Sequence, residues 1–330
     1  MPELATKNMS GPTSPAPAGA RGAADVRCLG DRVFSGAAKG SGIAVIVLVA
    51  AVAAFLIKTA APSLIHDHSS FLYSRDWSLT PGDLHFGIAG MIWTTVLVST
   101  FAMMLAVPIA VGIALFLTFW IPRRTAPPLA ALIDLLAAVP SVVYGIWGIY
   151  ILSPKLNGVS ADIQHWFKWF PLLAPAGVSR GTVFVAGVVL AIMILPIITA
   201  ISREVFAQVP HTQVEAALGL GATRWEMIRL AVLPFGRSGV ISGAMLGLGR
   251  ALGETIAITL ILSTPATGAP FHPSLFAGGE TFASKIANNA QEFDSPAKTG
   301  AFIAAGLILF LLTFLVNAAA RTIVNRKVVR

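Results

Sequence analysis

Six stretches of this chain, near 41–65, 88–119, 129–153, 182–201, 238–264 and 300–320, are apolar over about twenty residues or more,. Nothing else in the sequence constrains the fold so tightly. A hydrocarbon core of ~30 Å takes ~20 helical residues to cross, and a backbone in lipid must satisfy its own hydrogen bonds, which leaves helices or closed barrels. The runs are continuously apolar and lack the ten-residue alternation of membrane strands, so the expected class is all-α with six transmembrane helices. A composition 55% hydrophobic and 12% charged agrees. The first run follows about forty residues with scattered charges and shows no short apolar region with a cleavage site, so it reads as a retained helix rather than a leader,.

The net charge of +8 reads as membrane orientation rather than attraction to nucleic acid,. The amino-terminal tail holds Lys7, Arg21, Arg27, Arg32 and Lys39; the second loop Arg123 and Arg124; the fourth Arg203, Arg224, Arg229 and Arg237; the carboxyl tail Arg321, Arg326, Lys327 and Arg330. The other three loops hold only Arg75, then Lys155, Lys168 and Arg180, then Lys285 and Lys298. A split of fifteen to six between alternate segments predicts that both termini are cytoplasmic,. The expected organisation is a largely disordered cytoplasmic tail over 1–40, a membrane domain over 41–320 and a basic cytoplasmic tail over 321–330. The tail's "GPTSPAPAGA" is too poor in large apolar groups to offset the entropy of ordering,. Cys28 is the only cysteine, so no intrachain disulfide can form, and its thiol reads as inert,.

Pro108, Pro140 and Pro196 fall inside apolar runs, where lost backbone hydrogen bonds must be restored by neighbours,. The aromatic residues of "HWFKWFP", Trp166, Phe167, Trp169 and Phe170, suit the membrane–water boundary,. His66 and His68 flank Asp67, but without a third group elsewhere they read as a solvated helix end and not as a metal site,. "TFASKIANNAQEF" in the fifth loop predicts a short amphipathic helix,. The chain has no phosphate-binding loop of the G-x-x-x-x-G-K-[ST] type, so it carries no ATP site of that kind,.

The most specific motif lies in the fourth loop, "VPHTQVEAALGLGATRWEMIRLAVLP", Val209 to Pro234. Pro210 is placed to open a helix, Gly219 and Gly221 to end it, and "ATRWEMIRLAVL" resumes an amphipathic spacing, which predicts two short helices around a glycine turn,. A DNA-binding helix-turn-helix has a similar outline, but this one is closed at both ends by membrane spans. The spacing Glu215-Ala216-Ala217, three residues, Gly221, nine residues, a hydrophobic position and Leu233-Pro234 resembles the EAA loop of ABC-importer permeases. Ala231 stands where that pattern usually has a larger aliphatic residue.

Within that family, "GLGRALGET" and "LLAAVPSVVYGIWG" are similar to the C-type permeases (PstC-type) of bacterial phosphate importers, over roughly 40–320. The resemblance implies a subunit of the bacterial cytoplasmic membrane without catalysis or cofactor of its own. It implies a heterodimer with an A-type phosphate permease, two ATPase subunits that bind ATP and Mg, and an extracytoplasmic phosphate-binding protein. Membrane lipid is then the remaining partner, and nucleic acid is not one. By the same resemblance Glu215, Ala216, Ala217, Gly221, Leu233 and Pro234 couple the membrane domain to an ATPase.

Arg250 and Glu254 lie near the middle of the fifth apolar run, at a depth where charge is costly and usually marks the route of an ion or substrate,. On one continuous helix they stand a turn apart on the same face, beside Gly247, Gly249 and Gly253, and form either an ion pair that cancels itself or an oxyanion site. An Arg fork suits an oxyanion; a carboxylate can hold that fork in place and accept the proton a phosphate still carries near neutral pH. Asp134 is a weaker substrate-pathway candidate with an equal expectation of an interhelical hydrogen bond. Thr255, like Thr259, can bond back to its own helix. Two other readings follow from the same charges: a permease for a related oxyanion, and a proton-coupled secondary carrier that relays protons through Glu254 and Asp134. The EAA-like loop separates the latter, since a secondary carrier has no ATPase to dock.

Overall fold

The computed structural model describes residues 29–67, 70–80, 83–122, 124–176, 181–266 and 269–328. Cys28, His68, Arg123, Arg180 and most of the amino-terminal tail therefore lie outside the described residues. The chain divides into two compact units, Met1–Ala53 and Ala54–Arg330. The described part of the first is the start of helix α1, Leu29–Ile65. This helix begins well before the expected boundary at 41, so residues 29–40 are helical rather than tail.

In the second unit, β1 (Trp77–Thr80) and β2 (Asp83–Phe86) form an antiparallel hairpin with Trp77 opposite Phe86. It is a small addition to an otherwise helical chain that alternation over so few residues did not reveal. There follow α2 (Ala89–Phe119), α3 (Ala126–Ala137), α4 (Ser141–Trp147), a π turn over Gly148–Leu152, and α5 (Ser153–Trp166). Then come α6 (Val183–Ala207), α7 (His211–Gly219), α8 (Arg224–Met227), a second π turn over Ile228–Val232, and α9 (Leu233–Gly253). The described chain closes with α10 (Ile256–Ile261), α11 (Phe282–Asn288) and α12 (Pro296–Val328). The last of these runs through most of the expected basic tail.

Five helices are long and apolar enough to cross a membrane, and a sixth span is formed if the bent pair α3 and α4–α5 counts as one. That pair turns by 86°. Pro140 stands at the turn without an N–H to donate, and the Tyr144 hydroxyl donates to the Leu136 carbonyl across it at 2.9 Å,. Pro108 and Pro196 are instead absorbed inside α2 and α6.

Helix α6 is the hub. Ala102, Ala106, Ala110 and Ala114 recur every fourth residue on α2, all fully buried, and let that helix approach α6 closely,. On its other side α9 presents Gly236, Gly239, Gly243 and Gly247. A Cβ at Gly236 would come 2.5 Å from the Phe206 ring, one at Gly239 would overlap Val205, and one at Gly247 would come 2.9 Å from Ile198. Dispersion between close helices holds such a bundle, because lipid gives apolar faces no hydrophobic reason to associate. Beneath this packing, Phe206, Val209, Met227, Ile228 and Val232 form a separate apolar cluster with Ala114 and Leu115.

Trp166 and Trp169 are about three-quarters exposed, at 77% and 78%, as boundary anchors require,. The expected amphipathic helix in the fifth loop is α11, with Phe282 buried and Thr281 and Ser284 forming a capping box. His66 Nδ1 donates to the Pro62 carbonyl at 2.7 Å and Asp67 Oδ1 accepts from the Phe86 N–H at 3.3 Å, so both serve local structure.

Candidate functional site

The fifth span is not the single helix the hydropathy suggests. α9 ends at Gly253, Glu254 takes an extended backbone at φ −68° and ψ 122°, and Thr255 opens the short α10. Glu254 is therefore not a turn further along the same helical face as Arg250, which corrects that expectation. Its carboxylate is buried, 9% exposed, and Oε1 accepts the Ala257 N–H at 3.2 Å. The carboxylate thus caps the second half of the span. Thr255 Oγ1 donates to the Gly253 carbonyl at 3.2 Å, so it satisfies the other side of the break.

Arg250 sits in the last turn of α9, where a cation complements the carbonyl end of a helix,. It is open on the surface of the chain, and no ion pair joins it to Glu254 among the described residues. Tyr144 on α4, next to Gly145, braces the bend of the third span. About 20 Å of helical rise separates Arg250 from Arg237, and α10 adds about 9 Å beyond the break, so the break lies inside the span rather than at its end,. Irregular backbone at such depth is tolerated where it is buried in protein or lines a water-filled path. Gly249 and Gly253 face open space, whereas Gly247 packs on α6; the three glycines expected to act together divide between these roles.

Asp134 does not join this group. Its Oδ2 meets Arg203 Nη2 at 3.3 Å, tying α3 to α6, with both side chains substantially exposed. Of the four substrate-pathway candidates, Arg250, Glu254 and Thr255 stand around the break of the fifth span, with Arg250 exposed and Glu254 buried, and Asp134 is set in an interhelical ion pair. Two neighbours escaped the sequence reading. Tyr144 carries no charge to draw notice, and Gly145, a helix position like many others, lets α4 press on Ala257 and Leu260 of α10.

The fourth loop folds as α7, a turn at Gly221, and α8. Val214 and Ala217 seat α7 on the cluster around Phe206 and Met227, leaving Glu215 and Ala216 outward. Gly221 has φ +85°, the only positive value among the described residues, with nothing within 4 Å of a Cβ placed there. The left-handed turn, not lack of space, demands glycine. Thr223 caps α8 in a capping box with Glu226,. The second expected short helix is instead the start of a long one: α8, the π turn and α9 run without interruption from Arg224 to Gly253. Leu233 is half-buried against the same cluster, and Pro234 lies in the first turn of α9, where its missing N–H is harmless,. Leu218, Leu220 and Trp225 surround the turn with exposed apolar surface, Leu220 at 90%. The motif spacing alone gave no sign of this rim.

Residues 106–329, which span both features, match the sequence profile of the binding-protein-dependent transport system inner membrane component. The chain belongs to this family. The permease is 51% identical over 303 residues to "Phosphate transport system permease protein PstC 2" of Mycobacterium tuberculosis, covering 91% of this chain and 93% of that one. It is 49% identical over 319 residues to the PstC of Mycobacterium leprae, covering 95% and 98%, and 39% identical over 305 residues to that of Mesorhizobium japonicum, covering 90% and 91%. Among solved structures, an inward-facing MetNI methionine ABC transporter shares the permease's fold at a TM-score of 0.51 and 16% identity, covering 72% of this chain and 94% of that one. A bacterial ABC transporter involved in import of the acidic polysaccharide alginate does so at 0.51 and 14%, covering 72% and 78%. The permease is a multi-pass membrane protein.

Proposed function

We propose that this permease is the C-type subunit of an ATP-driven importer that carries inorganic phosphate across the bacterial cytoplasmic membrane. The observation that carries the reading is a broken span with a free guanidinium and a buried carboxylate at its break, in a chain whose relatives are named phosphate permeases. Arg250 offers the planar donor fork an oxyanion needs, and it is not already spent on a protein carboxylate,. Glu254 holds α10 in place and presents an acceptor to an anion that still bears a proton. Sulfate, fully deprotonated, could not make that bond.

The permease performs no bond-making chemistry itself. It pairs with an A-type phosphate permease, receives phosphate from an extracytoplasmic binding protein, and draws on ATP and Mg held by two ATPase subunits. Both termini are cytoplasmic on the fifteen-to-six count of basic residues,. α7 with Glu215 and Ala216 outward, the Gly221 turn and the apolar rim of Leu218, Leu220 and Trp225 form the knob that meets an ATPase. Leu233 and Pro234 root that knob in α9, so movement of the knob is transmitted along a continuous helix to Arg250.

The test separates charge from structure. Arg250→Lys keeps the charge and loses the fork; Glu254→Gln keeps an acceptor for the Ala257 N–H and loses the charge. Each is expected to lower phosphate uptake at least tenfold, by about 1.4 kcal/mol of lost stabilisation or more, with the importer still assembled and its ATPases active. Uptake at the wild-type rate in both variants would remove the pathway assignment.

A further inference from the structure

Away from the broken span, the end of α1 and the start of α12 border an open cavity of about 1030 Å³ beside the hairpin. The two helix ends are locked together there: Ser63 Oγ donates to the Ala297 carbonyl at 2.8 Å, and Gly300 leaves no room for a side chain against Ser63. The walls are mostly apolar, with Pro62, Leu79, Leu84 and Phe293 among them. Lys58 and Lys298 supply the cationic groups, His66 an imidazole and Asp294 the single carboxylate.

These charges are not balanced within the protein. Lys298 Nζ meets Asp294 Oδ2 at 2.9 Å, and the ammonium holds that carboxyl below its usual range. Lys58 has no acidic partner among the described residues, although it interrupts the apolar sequence "AAFLIKTAAPSLI". It lies about 10 Å of helical rise before the end of α1 at Ile65, within headgroup depth for a flexible side chain that can reach the boundary,. An ammonium at that level that merely snorkels needs no cavity. This one borders a large, apolar-walled cavity with a second ammonium in its rim.

We propose that this cavity is a binding site for an anionic phospholipid, whose phosphodiester lies between Lys58 and Lys298 while its glycerol and first methylenes rest on Pro62, Leu84 and Phe293. The apolar walls favour a lipid over free inorganic phosphate, which would lose hydration against them without recovering it. The one ammonium left unbalanced, that of Lys58, favours an anionic headgroup over a zwitterionic one, which brings its own cation,. The site is independent of the Arg250 pathway.

The test uses the full-length chain in its assembled importer, purified in detergent and mixed with equal amounts of phosphatidylglycerol and phosphatidylcholine of matched chains. Lipid retained after delipidating washes is counted by native mass spectrometry. Phosphatidylglycerol is expected to exceed phosphatidylcholine about tenfold. Lys58→Gln, which breaks no protein contact, should reduce that preference several-fold, and Lys58→Arg should restore it. Inorganic phosphate at millimolar concentration should displace neither lipid. Equal retention of the two lipids, an unchanged preference in Lys58→Gln, or displacement by inorganic phosphate would each overturn the proposal, the last by assigning the site to the free anion.

Discussion

Gly221 offers the sharpest test of how the fourth loop works, because its backbone demand and its space demand point in different directions. With φ at +85° it occupies the left-handed region, yet a Cβ would meet nothing within 4 Å. Alanine therefore adds no clash and is penalised only by backbone strain, about 1–2 kcal/mol for a residue with a Cβ. Asparagine tolerates the left-handed region better and should lose only a fraction of that. Tryptophan adds bulk beside the exposed Leu220 and Trp225 to the same strain. If the turn must hold α7 and α8 in one relation to engage an ATPase, a penalty of about 1–2 kcal/mol lowers the competent population roughly 5- to 30-fold when that turn limits coupling. Uptake in inverted-order pairs of whole cells and reconstituted vesicles should then rank glycine, asparagine, alanine, tryptophan. The amount of inserted protein should stay constant, since α7 is seated independently by Val214 and Ala217. Wild-type uptake in Gly221→Ala and Gly221→Trp would refute the reasoning, as would a decline that merely follows the amount of inserted chain.

On the α6–α9 contact, Gly239→Leu should lower the yield of folded permease, because the new side chain overlaps Val205 and overpacking costs about 1–3 kcal/mol, while Gly249→Ala, which faces open space, should leave yield unchanged in the same detergent-stability assay,. A double-mutant cycle on Asp134→Asn and Arg203→Gln should give a coupling of no more than about 1 kcal/mol in thermal unfolding, since the pair is substantially exposed,. For orientation, a cysteine at exposed Gln291 in a Cys28-free chain should react with an impermeant thiol reagent added outside, and one at exposed Thr212 should not; the opposite pattern would invert the topology,.

Much of this architecture was legible in the sequence because a bilayer makes burial a nearly local property. A run of twenty apolar residues must be helical wherever its neighbours lie, so the spans near 88–119, 182–201 and 300–320 correspond to α2, α6 and α12,. The turn at Gly221 was equally local, since the left-handed region admits few residues besides glycine and the capping pair Thr223 and Glu226 follows at once,. Hydropathy cannot show where an apolar run stops being one helix. "GETI" has no proline, and the break at Glu254 exists because α10 is held separately, with Gly145 and Gly148 of the third span letting α4 and its π turn press against Ala257, Leu260 and Ile261. That packing separated Arg250 from Glu254 and turned an expected i,i+4 pair into an exposed guanidinium and a capping carboxylate. It was also tertiary contact that gave Asp134 to Arg203, sixty-nine residues away, and that set the end of α1 against the start of α12 through Ser63 and Ala297. In each case the residue's chemistry was visible in the chain, but the partner that defines its task stands on another helix, and apolar periodicity records burial without recording against what.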